Sequence, residues 1–153
     1  MPLHGITQDL MIAISQEIWS SMISLSLTPS ANPPIEPLHP DGVSGRIEIF
    51  GAWRGEVEIR MSRSLAKSAA AAFIGRTPDE VTLEESFDAA QEITNITAGR
   101  LKRLLPQICK VTLPSMCACE NLSVPNKSGG GALTVYLGQT APSLAVSVRV
   151  SAQ

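Results

Sequence analysis

The sequence predicts one long helix in residues 85–105, and this segment constrains the fold more than any other part of the chain. Thr82 is followed three residues later by Glu85, the spacing of a capping box at a helix N-terminus. Pro106 marks the end, because proline does not fit a helix interior. On a helical wheel the larger apolar side chains, together with Ala90 and two threonines, gather on one broad face. They are Leu83, Phe87, Ala90, Ile93, Thr94, Thr97, Leu101, Leu104 and Leu105, with Ile96 at the edge.

The remaining elements predict an α+β fold, with an antiparallel sheet packed against long helices. Two further helices are expected, in residues 6–25 and in residues 62–75, where Gly75 ends the second one. Alternation of apolar and polar residues, the pattern of a half-buried strand, predicts strands near residues 47–49, 57–61 and 144–150. Two further candidate strands lie near residues 115–121 and 132–137.

A proline-rich stretch, residues 28–45, separates the first helix from the rest. Its five prolines disfavour helix and central strand, so we expect an extended surface loop. The short segment before it could not fold alone. We therefore expect residues 1–153 to form a single domain, with the first helix docked on the main body.

Charge and composition exclude several functional classes. The formal net charge is −2 and no basic stripe is visible, which argues against nucleic acid as a partner. No apolar run approaches the roughly 20 residues of a membrane span, and the N-terminus lacks the features of a secretory signal. Three cysteines do not suggest a disulfide framework, so a cytoplasmic location is expected. Cys117 and Cys119 lack further ligands at zinc-like spacing, so we expect buried thiols and no metal site.

The centre of the long helix has an unusual composition on its outer face. Glu92, Asn95 and Gly99 are neighbours there, because they are three and four residues apart. Glycine costs about 1 kcal/mol relative to alanine in a helix interior. Its missing side chain would let another molecule approach Asn95 closely. The face therefore has the features of a contact surface, with an ordinary solvated helix face as the alternative. Glu85, Asp88 and Lys102 share this face.

The sequence Glu92-Ile-Thr-Asn95-Ile-Thr-Ala-Gly99 resembles the E-x-x-N-x-x-x-G signature of the CheC/CheX/FliY chemotaxis phosphatases, and CheX most of all. Other segments resemble the family in the same order along the chain. ISQEIWSSMI is similar to its first helix, the segment from GRIEIF to AAFIG to its hairpin and second helix, and VTLPSM to the strand entry after the motif helix. The resemblance covers most of residues 6–120 and implies a CheX-like fold.

The resemblance also implies an activity and a set of site residues. The protein would be a phosphatase that accelerates hydrolysis of the phosphoaspartate of a CheY-like response regulator. Asn95 would position the attacking water, and Glu92 would bind the regulator's active-site lysine. Gly99, Asp88 and Lys102 would contact the partner. The chain would need no cofactor of its own, because Mg²⁺ would belong to the receiver, and a homodimer is expected.

Three positions depart from the family pattern and leave other functions open. Family members with two sites often carry a second E-x-x-N on the first helix, whereas Glu17-Ile-Trp-Ser20 has serine in place of asparagine. This is the single-site pattern of CheX. Thr97 and Arg100 stand where an apolar residue and asparagine are frequent. The alternatives are a non-catalytic receiver-binding adaptor and a dimerisation module. Trp53 could belong to the core, to a dimer contact or to a partner contact.

Overall fold

Three α-helices and seven strands form the described part of the chain, which comprises residues 5–30, 42–105, 108–119 and 132–151 of a computed structural model. The helices are α1 (Gln8–Ile18), α2 (Arg63–Ile74) and α3 (Leu83–Lys102). A π-helical turn (Trp19–Ile23) extends α1, and a 3-10 turn (Pro78–Glu80) lies between α2 and α3. The strands are β1 (Thr28–Ser30), β2 (Gly42–Gly51), β3 (Gly55–Met61), β4 (Cys109–Val111), β5 (Ser115–Cys119), β6 (Ala132–Gly138) and β7 (Pro142–Val150).

The strands form one antiparallel sheet in the order β1-β6-β7-β3-β2-β4, and β5 pairs with β2 beside β4. One face of the sheet is apolar and packs against the helices. Its buried side chains include Ile47 of β2, Val57 of β3 and Val148 of β7, which lie side by side in register. The α+β fold is confirmed. Of the three helices only α3, with 20 residues, is long, whereas α1 has 11 and α2 has 12.

Helix α3 lies directly on β2 at Gly45. A Cβ atom added to Gly45 would overlap with the side chain of Thr94, at 3.0 Å from its Cγ2 and closer still to its Oγ1. Thr94 is completely buried, and its hydroxyl donates a hydrogen bond of 2.7 Å to the carbonyl of Ala90. The absence of a side chain at Gly45 therefore sets the height of α3 above the sheet.

Gly45→Ala should lower the free energy of unfolding by about 1–3 kcal/mol, because the added methyl group overpacks the contact with buried Thr94. Urea denaturation of the parent and the variant measures the difference. Gly99→Ala is the matched control, since a Cβ atom there meets nothing within 4 Å. That control should be neutral or up to about 1 kcal/mol more stable. Equal stability of Gly45→Ala and the parent would contradict this account of how α3 is seated.

The predicted loop at residues 28–45 is wrong at both ends, because strands occupy them. Thr28–Ser30 form β1 and β2 begins at Gly42, while residues 31–41 lie outside the described residues. Pro29 is compatible with a strand because β1 lies at the edge of the sheet and pairs with β6 on one side only. Proline has no N–H to donate, and an edge strand tolerates this better than a central strand does. The single-domain organisation stays a prediction.

Several side chains differ from their expected environments. Leu83, placed on the buried face of the wheel, is 48% exposed because it is the first residue of α3. Cys119 is buried as expected, but Cys117 is exposed, so the prediction of two buried thiols is wrong for one of them. Trp53 is 4% exposed and belongs to the hydrophobic core. Strand β4 was not predicted, because three residues are too few to show an alternating pattern.

Candidate functional site

The N-terminus of α3 is fixed by the capping box that the sequence predicts. The Glu85 N–H donates to the Thr82 hydroxyl over 3.1 Å, and the Thr82 N–H donates to the Glu85 carboxylate over 2.9 Å. The bond from the Thr82 N–H lowers the pKa of the Glu85 carboxyl, and the charge of Arg76, 3.2 Å away, adds to the effect. The carboxylate therefore stays ionised at neutral pH, and the helix begins at a defined residue.

The outer face of α3 carries the predicted site residues. Asp88, Glu92 and Asn95 are exposed, and Gly99 and Lys102 are partly exposed. The opposite side of the same helix is buried. Its buried residues are Ser86, Ala89, Ala90, Ile93, Thr94, Thr97, Ala98 and Leu101. The predicted exposure of the Glu92–Gly99 face is confirmed, whereas the catalytic and contact roles of these residues stay predictions.

The space beside Asn95 is open. A Cβ atom added to Gly99 would meet nothing within 4 Å, so packing among the described residues does not require glycine at this position. The side chains of Glu92 and Asn95 form no hydrogen bond or ion pair with other described residues. An exposed carboxylate and an exposed carboxamide, one turn apart on an anchored helix, are thus available to a second molecule.

The comparable residues on α1 are engaged within the chain. The Arg100 guanidinium donates to the Glu17 carboxylate over 2.7 Å, and the Ser21 hydroxyl donates to the same group over 3.1 Å. These bonds, that from Arg100 above all, lower the pKa of the Glu17 carboxyl. The Ser20 hydroxyl donates back to the Glu17 carbonyl over 3.3 Å. This second position is therefore unlike the Glu92–Asn95 pair, whose side chains have no partner among the described residues.

Arg100 follows Gly99 on α3, and its guanidinium turns towards Glu17 of α1. Glu17 and Arg100 are 83 residues apart in sequence, so no local pattern could have revealed their ion pair. Within the described ranges no group of three or more His, Cys, Asp or Glu side chains could hold a metal ion. None of the helices found there is long and apolar enough to cross a membrane.

The sequence profile of the family described as Chemotaxis phosphatase CheX matches residues 43–138. The matched stretch begins in β2, contains the whole of α2 and α3, and ends with β6. The chain belongs to the CheX family. The resemblance seen in the sequence is confirmed, and the matched residues include both Glu92 and Asn95. The chain has no match among curated protein sequences.

Solved structures of CheX and CheC-like proteins have the same fold as this CheX-family chain. CheX of Vibrio vulnificus is 22% identical, with 97% of this chain and 98% of that chain covered and a TM-score of 0.76. A CheC-like chemotactic protein of Shewanella oneidensis is 22% identical, with coverages of 99% and 100% and a TM-score of 0.74. CheX of Borrelia burgdorferi, solved in complex with CheY, BeF₃ and Mg²⁺, is 19% identical, with coverages of 93% and 96% and a TM-score of 0.68.

Proposed function

We propose that this CheX-family protein accelerates hydrolysis of the phosphoaspartate of a CheY-like response regulator. The observation that carries the proposal is the pair of exposed side chains, Glu92 and Asn95, one turn apart on α3 and without partners among the described residues. The family description as a chemotaxis phosphatase supports it. The Borrelia burgdorferi CheX that was solved together with CheY supports the choice of partner.

Asn95 would orient the attacking water. Its carboxamide both accepts and donates hydrogen bonds, so it can hold a water molecule in one direction. The water oxygen forms a bond to phosphorus in line with the aspartyl oxygen, whose bond to phosphorus breaks, and the products are aspartate and inorganic phosphate. Phosphoryl transfer depends mainly on such positioning and on charge compensation. The anchoring of α3 to the sheet through Thr94 keeps the Asn95 backbone in place for this task.

Glu92 would dock the receiver by binding a lysine at the receiver's active site. The carboxylate lies one turn before Asn95, so this contact sets the register of the whole helix against the phosphoaspartate. The chain's own residues supply the carboxylate and the carboxamide. We propose that the Mg²⁺ ion stays with the receiver and that this chain contributes no metal ligand. Asp88 and Lys102 would contact the same partner from the ends of the exposed face.

Gly99→Leu should prevent receiver docking without unfolding the protein. Leucine fills the open space beside Asn95 that the partner would occupy, and it is a better helix former than glycine by roughly 1 kcal/mol. Receiver affinity and thermal unfolding of the same preparation measure the two effects. The Gly99→Ala variant is the matched control, because one methyl group leaves most of the space open. Unchanged receiver affinity of Gly99→Leu would remove Gly99 from the proposed contact surface.

The decisive experiment follows the phosphoaspartate lifetime of CheY-like receivers from the same organism, with and without this protein. A shortened lifetime supports the phosphatase. Binding without any change in lifetime would replace the phosphatase with a receiver-binding adaptor. With neither binding nor acceleration for any receiver, the proposal fails, and a dimerisation module becomes the better explanation.

We also propose a cytoplasmic location, because the three cysteines do not suggest a disulfide framework, and a homodimer, which is taken from the family resemblance. The mass of the particle in light scattering at tens of micromolar protein tests the dimer, since an obligate dimer persists at such concentrations. A monomer mass would contradict it. Fractionation of cells tests the location, and recovery with the membrane or outside the cell would contradict it.

A further inference from the structure

A groove between α2 and α3 opens beside Glu92. Phe73 and Ile74 form its apolar wall, Ala70 and Ala89 its floor, and Asp88 and Glu92 its rim on α3. Its volume is about 430 Å³. We propose that this groove belongs to the receiver-binding surface and holds an apolar side chain of the receiver that stands beside a lysine or arginine. This inference rests on the proposed function and names a further part of the partner contact.

The apolar part of the groove is concave and accessible. Phe73 is 38% exposed and Ile74 is 41% exposed at the last turn of α2, just before Gly75 ends the helix. Ala70 and Ala89 are buried, and their small side chains leave a depression between the two helices. Single exposed apolar residues are common on protein surfaces, but two that line one depression form a binding pocket for another apolar group.

The rim of the groove carries negative charge that the chain does not neutralise. Glu85 at one end is paired with Arg76 over 3.2 Å. Asp88 and Glu92, one turn apart further along α3, form no ion pair with any residue that the structure describes. A cationic side chain is therefore favoured next to the apolar one. A second copy of this chain fits poorly, because a two-fold contact centred here would bring the same carboxylates together.

The position of Glu92 identifies the receiver as the occupant. Glu92 belongs both to the groove rim and to the proposed docking contact with a receiver lysine. A receiver that places its lysine against Glu92 lies at the rim of the groove that Phe73 also lines. The receiver therefore meets the apolar wall and the acidic rim at the same time, without a separate partner.

The test compares serine variants of two phenylalanines that have nearly the same exposure. Phe73→Ser removes the groove wall, whereas Phe50→Ser changes a phenylalanine on β2 that is 39% exposed and lies outside the groove. The probe is a CheY-like receiver from the same organism, held in its BeF₃–Mg²⁺ state for affinity and phosphorylated for lifetime. Phe73→Ser should weaken the affinity about tenfold, the order expected when an apolar contact of this size is lost. The lifetime at saturating protein should stay as in the parent, and Phe50→Ser should change neither quantity.

Further variants show whether a loss of receiver affinity comes from the groove, from misfolding or from the change in net charge alone. Ile74→Ser should weaken receiver affinity like Phe73→Ser, with circular dichroism confirming that each variant is folded. Asp88→Lys should weaken it as well, and Asp79→Lys, an equal charge change outside the groove, should not.

Three other outcomes would contradict the groove proposal, the choice of the receiver as its occupant, or the proposed function. If Phe73→Ser and Ile74→Ser bind like Phe50→Ser while the parent still shortens the lifetime, the groove proposal is wrong and the proposed function stands. If these variants lose only self-association in light scattering, the occupant is a second copy and the receiver assignment is wrong. If the parent neither binds nor accelerates, the proposed function is wrong and the groove proposal is wrong with it.

Discussion

Asn95→Ala should abolish the accelerated hydrolysis of the phosphoaspartate, with a loss of at least about 100-fold, while receiver affinity changes little. The carboxamide acts on the attacking water, so its contribution exists mainly in the transition state. Misplacing a reacting group by about 1 Å already costs a factor of this size. The variant should fold like the parent, because Asn95 is exposed and the buried half of α3 is unchanged. Phosphoaspartate decay and receiver affinity are measured on the same preparation.

Gln91→Ala is the matched control for Asn95→Ala. Gln91 is an exposed amide on the same helix, one turn earlier, and no role is assigned to it. That variant should keep most of the acceleration. If Asn95→Ala retains the parental lifetime effect, Asn95 does not position the water and the proposed mechanism is wrong. If both variants lose receiver binding equally, the face acts only in docking.

Glu92→Ala should weaken receiver affinity by about 2 kcal/mol, a factor of roughly 30 in Kd, because a charge pair at an interface is lost. The lifetime effect should return at high protein concentration, since Asn95 is still present. Glu84→Ala is the matched control, because it removes an exposed carboxylate that lies in the first turn of α3. It should bind the receiver almost like the parent. Titration of the BeF₃–Mg²⁺ receiver with the parent, with Glu92→Ala and with Glu84→Ala gives the three affinities.

The salt dependence of binding distinguishes an ion pair between Glu92 and the receiver from attraction by the overall charge of the helix. The parental affinity should fall more steeply with salt than that of Glu92→Ala, because one ion pair is missing in the variant. Equal affinities of the parent and Glu92→Ala would mean that Glu92 does not dock the receiver. An equal loss for Glu84→Ala would indicate that only the overall charge of the helix matters.

Local signals allowed the motif helix to be predicted well from the sequence. The cap formed by Thr82 and Glu85 depends on residues three apart, and the exposure of Glu92 and Asn95 follows from the periodicity of the same helix. The strands with clear alternation, β3 and β7, were also predicted close to their observed bounds. In each case the information lies within a few residues of the feature.

Features that depend on distant contacts could not be predicted. The ion pair between Arg100 and Glu17 requires that α1 lie beside α3, and nothing near either residue indicates this. Pro29 reads locally as a loop residue, and only its place on an edge strand makes β1 possible. The groove needs the end of α2 next to the middle of α3, so Phe73 and Glu92 show no relation in sequence. The proposed function rests on the resemblance of the motif, since periodicity alone left a solvated face as an alternative.

The contact between Thr94 and Gly45 holds one side of α3 against the sheet and leaves the opposite side exposed. The two sides of the helix therefore have different roles. The inner half holds the helix on the sheet, and its residues cannot change without disturbing the core. The outer half, with Gln91, Glu92, Asn95 and Gly99, contributes little to that attachment. Its side chains can be substituted one by one without a change in the fold. The same framework is therefore suited to retargeting, because the part of the proposed receiver contact that lies on α3 occupies a single exposed strip.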